Sequence, residues 1–344
     1  MLTKAEILWT RKCPLTCSYC AMIDYDFEKA PLSKMLEGVD QLQKHGCGFF
    51  AIYGSSPLYG EEFNGLDTFI HHTESVGILT TVIVDGIDKE TKPKLQQLYK
   101  AGLRSLTCSW DGESVRDHLY SKRLPIHVDK QTRLKSEKGI ELVKWFRASH
   151  DDLRDVELVT TVTKKNWEHV LTSLELDLLP AGIWFSFDFI HPDRGQPGTK
   201  AKGTGKGLAF ENNDLDRGDV IRFCEHLLDF KQRLGFVHQS EEYLRAVIAK
   251  PEIVTCMKWK CTGPTFPSWV TIDADGTVLP CDDFWTDRTF KVWDFDEAAL
   301  KVFSREYAEE VKKWCPGCAW STHWDAVRIA ESGKGFNNYV HIGG

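Results

Sequence analysis

No stretch of this 344-residue chain approaches the ~20 consecutive apolar residues that a membrane-spanning helix needs. Its start, MLTKAEILWT, has no apolar core of a secretory leader. Neither sign of charge dominates: 43 basic against 50 acidic residues give −7, so no global field draws nucleic acid or an anionic membrane surface. There is no internal repeat and no low-complexity tail. These absences leave a cytoplasmic protein as the expectation, long enough for roughly one large or two smaller domains. What the sequence has is cysteine. Eleven residues, an odd number and mostly clustered, fit metal-bound thiolates better than a secreted disulfide framework.

Short apolar strands alternate with amphipathic helical stretches through the first two thirds. The strand candidates are AEILWT, GFFAIYG, ILTTVIV, LRSLTCSW, VELVTTVT and IWFSFDFI. Between them lie SKMLEGVDQLQKHG, NGLDTFIHHTESVG, KPKLQQLYKAG, KGIELVKWFRASH and NWEHVLTSLELDLL, several of which end near a Gly. The alternation predicts parallel βα units. Six are too few for a closed eight-stranded barrel, so a partial barrel or open sheet is expected. After residue 191 the pattern breaks. Residues 195–207, GQPGTKAKGTGKG, have the composition of a solvated loop whose lysines could steer an anionic substrate. Residues 213–235 predict a further helix, and SWVTIDADGTVLPCDDF predicts a strand pair around an Asp-Gly turn.

Directly behind the first strand stands CPLTCSYC, with Cys13, Cys17 and Cys20. Three thiolates so close cannot all pair as disulfides. A tetrahedral zinc site needs a fourth ligand, and no further Cys or His occurs within fifteen residues after Cys20. Four-iron clusters are held by thiolates on short loops, and three protein ligands would leave one iron open.

The spacing C-x3-C-x2-C, with Tyr19 before the last Cys and a place after the first strand of a βα series, resembles the radical S-adenosylmethionine (SAM) enzymes. Further stretches agree in order. YGSSPL, with Gly54, Ser55, Ser56 and Pro57, stands where that family holds the SAM amino group by a Gly-Gly-Glu-Pro stretch; its Glu is missing here. SLTCSWDG is similar to the family's S-x-D-G stretch, which implies that Ser109 faces SAM while Asp111 shapes the turn. VTTVTKKNWEHV, with Asn166, resembles the fifth strand and following helix. The resemblance covers roughly residues 5–192 and implies a [4Fe–4S] cluster on the three cysteines with SAM chelated at its open iron. It implies reductive cleavage of SAM to a 5′-deoxyadenosyl radical, and a reducing partner such as a flavodoxin or ferredoxin.

Cys261, Cys281, Cys315 and Cys318, with Gly276 between the first two, resemble the twitch domain, the shortened form of the SPASM extension. The resemblance implies one auxiliary [4Fe–4S] cluster. From the residues alone zinc is the rival, since four cysteines can close a tetrahedral site. Cys256 could replace Cys261 as a ligand. Cys47, Cys108 and Cys224 stand in strand or helix contexts and are expected in the core. Trp314, Trp320 and Trp324 are expected to pack around the second cluster.

The expected fold is α/β: a partial (β/α)6 TIM-like barrel with a small C-terminal auxiliary-cluster domain containing a β-hairpin. The expected divisions are 1–210 for the barrel, 211–251 for linking helices and 252–344 for the auxiliary domain. Asp188 and His191 end the sixth strand, where side chains of a parallel barrel meet substrate. A general base there would serve a substrate radical that must lose a proton; a strand-end hydrogen-bonding pair is the alternative. The expected activity is hydrogen abstraction from an organic substrate, followed by oxidation or rearrangement, of oxidoreductase or isomerase type. The chain begins almost at the first strand, which favours a small molecule or modified nucleotide over a peptide. Peptide maturation, and a non-catalytic iron–sulfur binding or sensing protein, are the alternatives.

Overall fold

The computed structural model describes residues 2–12, 28–54, 56–86, 90–110, 130–164, 166–189, 215–251, 266–280, 289–314 and 321–332. The six apolar runs form strands β1 (Lys4–Leu8), β2 (Phe49–Tyr53), β3 (Leu79–Val84), β4 (Ser105–Ser109), β5 (Asp155–Val162) and β6 (Trp184–Phe189). Helices α1 (Leu32–Lys44), α2 (Leu66–Ser75), α3 (Thr91–Ala101), α4 (Lys130–Ser149) and α5 (Trp167–Ser173) lie between them in sequence. Each strand pairs in parallel with the next, as the βα alternation requires.

Helix burial follows the 3.6-residue period. Met35, Gly38, Val39 and Leu42 are the buried face of α1, and Leu66, Phe69, Ile70 and Thr73 that of α2. The run expected as one helix over 166–179 is a composite. It is α-helical to Ser173, continues as a π-helical turn over Leu174–Leu178, and closes in a 3-10 turn at Leu179–Ala181. Pro180 has no N–H to donate, so an α-helical ladder cannot run on through it.

Beyond β6 come α6 (Arg217–Leu234), α7 (Glu241–Ala249), β7 (Trp269–Ile272), β8 (Thr277–Leu279), β9 (Phe290–Lys291), α8 (Glu297–Trp314) and α9 (Ser321–Ser332). Asp216 caps α6 by accepting from the Asp219 N–H, and Gly235 ends it with φ 84°. Between α6 and α7 the chain covers part of the free edge of β6. Phe185 N–H donates to the Phe236 carbonyl and His238 N–H donates to the Phe185 carbonyl, both at 2.9 Å.

The hairpin β7–β8 does not form a sheet of its own. Strand β7 pairs in parallel with β1, Lys4 opposite Trp269 through Ile7 opposite Ile272, and β8 and β9 follow antiparallel. One nine-stranded sheet results, in the order β6-β5-β4-β3-β2-β1-β7-β8-β9. It is open: among the described residues no pairing joins β6 to β9. The barrel also meets the 3-10 turn Val292–Asp294 after β9 through α1, where Gly38 lies so close to Val292 that a Cβ there would fall 2.4 Å from Val292 Cγ1. No helix among the described residues is long and apolar enough to cross a membrane.

Candidate active site

The two faces of the sheet differ in chemistry. Ile7, Phe50, Ile52, Val82, Leu106, Leu158, Phe185 and Phe187 are all nearly fully buried in the main core. The opposite face carries Lys4, Glu6, Thr81, Thr107, Glu157, Thr161, Ser186 and Asp188. Strand β5 shows the contrast in its alternation of half-buried Glu157, Val159 and Thr161 with buried Leu158, Thr160 and Val162. Thr107 Oγ1 donates to Glu157 Oε2 at 3.0 Å and lies 3.2 Å from Thr81 Oγ1, so hydroxyl and carboxylate groups of three adjacent strands form one chain across this face. A face bearing polar groups, backed by an apolar one, is what a ligand-holding half-barrel requires.

Ser109 is the last residue of β4 and half-exposed on that wall. Asp188 stands near the end of β6, also half-buried and opposite Thr161. At the end of β2, Gly54 adopts φ +112°, and a Cβ there would meet the Thr10 carbonyl oxygen at 2.4 Å. Only glycine allows the chain to turn this close to β1. Ser56, two residues on, is buried. Asn166 serves the turn after β5: its Oδ1 accepts from Thr163 N–H at 2.7 Å and its Nδ2 donates to the Thr161 carbonyl at 2.9 Å.

The chain leaving β1 is tied on two sides before it reaches the first cysteines. On the barrel side stands Glu62, in the 3-10 turn Gly60–Phe63. Lys12 Nζ lies 2.9 Å from Glu62 Oε1, and Lys29 Nζ lies 3.7 Å from Glu62 Oε2. Trp9 Nε1–H donates to the Glu62 carbonyl at 2.7 Å, and the Lys29 ammonium sits 4.2 Å from the Trp9 ring centre. Burial alone would push the Glu62 carboxyl up; hydrogen bonds from Lys12 and Thr10 and the charge of Lys29 outweigh it and hold it below its ordinary value. The same carboxylate raises Lys12, whereas burial lowers Lys29. On the hairpin side stands Asp273, which accepts from Arg11 Nε at 3.1 Å and from Nη2 at 2.6 Å. Ala30 N–H donates to the Ala274 carbonyl at 2.9 Å. Both ends of the cysteine-bearing segment are therefore held between the turn after β2 and the hairpin β7–β8.

This architecture is similar to that of Streptococcus suis SuiB bound to S-adenosylmethionine, with a TM-score of 0.66 at 17% identity over 89% of this chain and 66% of SuiB. It is similar also to anSMEcpe with bound AdoMet and the Cp18Cys peptide, with a TM-score of 0.59 at 16% identity over 99% of this chain and 98% of that one. Both are radical SAM enzymes. The chain has the fold of the radical SAM enzymes. It spans just under two thirds of the length of SuiB. No family model matches the chain, and no curated protein is similar to it in sequence.

In this radical SAM fold Gly54, Ser56, Pro57 and Ser109 follow or end strands β2 and β4, and Asp188 shares the polar face with Ser109. Cys13, Cys17, Tyr19, Cys20, Ser55, Asp111, His191, Cys256, Cys261, Cys281, Cys315 and Cys318 lie outside the described residues, as do Trp320 and the stretch 195–207. Cys47, Cys108 and Cys224 are buried, as their contexts suggested; burial pushes the Cys47 thiol up to about 12 and the Cys224 thiol up as well. Trp324 packs edge-on against Tyr243 of α7, with ring centres 6.2 Å apart. Glu62, Arg11 and Asp273 were not singled out in the sequence. The signal for Glu62 was its charge six residues beyond Ser56, in a stretch otherwise read only for its missing acid.

Proposed function

We propose that this chain is a radical SAM enzyme. The observation that carries the reading is positional. The segment with Cys13, Cys17 and Cys20 leaves the end of β1 next to Gly54, and the polar wall with Ser109 and Asp188 opens at the same end of the sheet. The donors fit: three thiolates suit iron, backbone oxygens near Gly54 suit an ammonium group, and the Ser109 hydroxyl suits a ribose or carboxylate. When bound and reduced, a [4Fe–4S] cluster on these thiolates supplies the electron that splits the sulfonium–C5′ bond of SAM, leaving methionine and a 5′-deoxyadenosyl radical that takes hydrogen from the substrate.

The protein's own part is placement and exclusion. Gly54, Ser55, Ser56 and Pro57 would hold the SAM amino group, Tyr19 would lie beside the cofactor, and Ser109 with Asp111 would orient its nucleoside end. Asp188 on β6 and His191, three residues on in sequence, are the groups proposed to take a proton from the substrate after hydrogen abstraction. Cys261, Cys281, Cys315 and Cys318 would hold an auxiliary [4Fe–4S] cluster, with every iron ligated by protein. The oxidoreductase or isomerase outcome and the electron-donating flavodoxin or ferredoxin belong to this proposal.

Anaerobic reconstitution followed by SAM and dithionite tests it. Formation of 5′-deoxyadenosine and methionine, lost in a Cys13→Ala, Cys17→Ala, Cys20→Ala variant, is the expected result. About eight irons should bind per chain, given two four-iron clusters. Iron-loaded protein that never cleaves SAM would leave an iron–sulfur binding protein instead.

A peptide is the second reading of the substrate, beside a small molecule or nucleotide. SuiB is also known bound to the precursor peptide SuiA, and anSMEcpe, with which this chain overlaps almost end to end, holds a peptide together with AdoMet. A peptide therefore needs no chain longer than this one.

A further inference from the structure

The tie between Arg11 and Asp273 joins two parts of the molecule that the proposed chemistry uses separately. Arg11 stands two residues before Cys13, and Asp273 eight residues before Cys281. Their side chains are almost fully withdrawn from solvent, 2% and 9% exposed. The contact is two-pronged, Nε to Oδ1 and Nη2 to Oδ2, which fixes direction as well as distance. Asp273 Oδ1 also accepts from the Ala274 N–H at 2.7 Å, so the carboxylate is held by its own turn before it receives the guanidinium. The next carbonyl, that of Ala274, takes the N–H of Ala30 at the far end of the segment. Two neighbouring residues of the hairpin thus hold the segment at its entry and at its return.

The barrel-side tie is different in kind. Lys12 is 76% exposed and reaches Glu62 through a flexible chain, a contact that water screens. The hairpin side is the buried and directional one. The hairpin itself has little freedom: β7 is paired to β1, and Lys291 Nζ closes the turn on the Asp275 carbonyl, Asp275 Oδ2 and Thr277 Oγ1 within 2.9 Å.

Resting on the reading of Cys13, Cys17 and Cys20 as cluster ligands, we propose that Arg11 and Asp273 are positioning residues, through which the C-terminal hairpin sets the placement of the first cluster's ligands. The hairpin is then part of the SAM-binding half of the machinery as well as the root of the second cysteine set.

The test uses the full-length chain with Asp273→Asn, which keeps shape and removes charge, and Arg11→Lys, which keeps charge and removes the fork. In iron-free protein, iodoacetamide labelling of Cys13, Cys17 and Cys20 is timed by mass spectrometry. Both variants should label about tenfold faster at these positions, as loss of a buried charge-assisted pair implies, while Cys47 and Cys224 stay unlabelled. In iron-loaded protein carrying Cys315→Ala and Cys318→Ala, the EPR signal of the reduced first cluster and its shift on adding SAM should differ from those of the parent. Labelling rates within about twofold of the wild type in both variants overturn the proposal. So does acceleration at Cys47 and Cys224 to the same degree, which would make the pair a general support of the fold. Labelling does not depend on iron. A chain that binds no iron would defeat the functional reading, while the labelling result still decides whether the hairpin holds the segment.

Discussion

Among the described residues, Glu62 gathers charge at the site. Two lysines, one on each side of the cysteine segment, converge on its carboxylate, and its backbone carbonyl holds Trp9. Because its carboxyl is held below its ordinary value of 4.5, its contribution to stability is complete above that value and fades as pH falls through the lower one. Glu62→Gln should therefore cost at most about 1 kcal/mol at pH 7, since its lysine partners reach solvent, and lose less than the wild type on acidification; thermal unfolding followed from neutral to acid pH measures both. Equal acid sensitivity of the two proteins would show that Glu62 is not the titrating group. Gly54 and Ser109 were singled out because they stand inside short contiguous motifs. Arg11 and Asp273 were not, because each is an ordinary charged residue until the fold brings it to a partner 262 positions away.

At the scale of elements, the strands could be read from sequence because each buries an apolar face in the main core. The residues of the opposite face were visible only as an alternation with no assigned direction. Helix α7 falls within the linking helices expected over 211–251, whereas α8 and α9, which flank the WCPGC stretch, were not foreseen. The hairpin was foreseen as a turn at Asp275–Gly276, and its loop is Ala274–Gly276, with Asp273 N–H donating to the Thr277 carbonyl and Gly276 N–H to that of Asp273. Gly276 has φ +81°, and a Cβ there would lie 2.3 Å from Cζ3 of Trp293, so both conformation and space demand glycine. Gly276→Ala should destabilise by about 2–4 kcal/mol, combining left-handed strain with overpacking. Chemical denaturation measures this; a loss under about 0.5 kcal/mol, the range of ordinary surface changes, would mean that Trp293 swings away freely.

For the whole molecule, the informative fact is that the sheet crosses the division expected near residue 252. Sequence could place a hairpin there but not its neighbour, since strand pairing is decided by partners far apart in the chain. A chain ending at residue 251 would lose β7 and present the edge of β1, with Thr3 deprived of Ser268 and Arg11 of Asp273. Such exposed edges invite pairing between chains. The truncated protein should aggregate or elute as oligomers on gel filtration; a soluble, stable monomer would establish the barrel as an independent domain.

The place of β1 between β2 and β7 also has a meaning in time. Lys4 is made 265 positions (269 − 4) before its partner Trp269. At about 5–20 residues per second, synthesis leaves one side of that strand waiting for roughly 13–50 s. During that interval the nascent chain holds an unsatisfied ladder of amides beside three uncommitted thiols. A cell making this protein has reason to shield the emerging barrel and to withhold iron and sulfide until β7 is out.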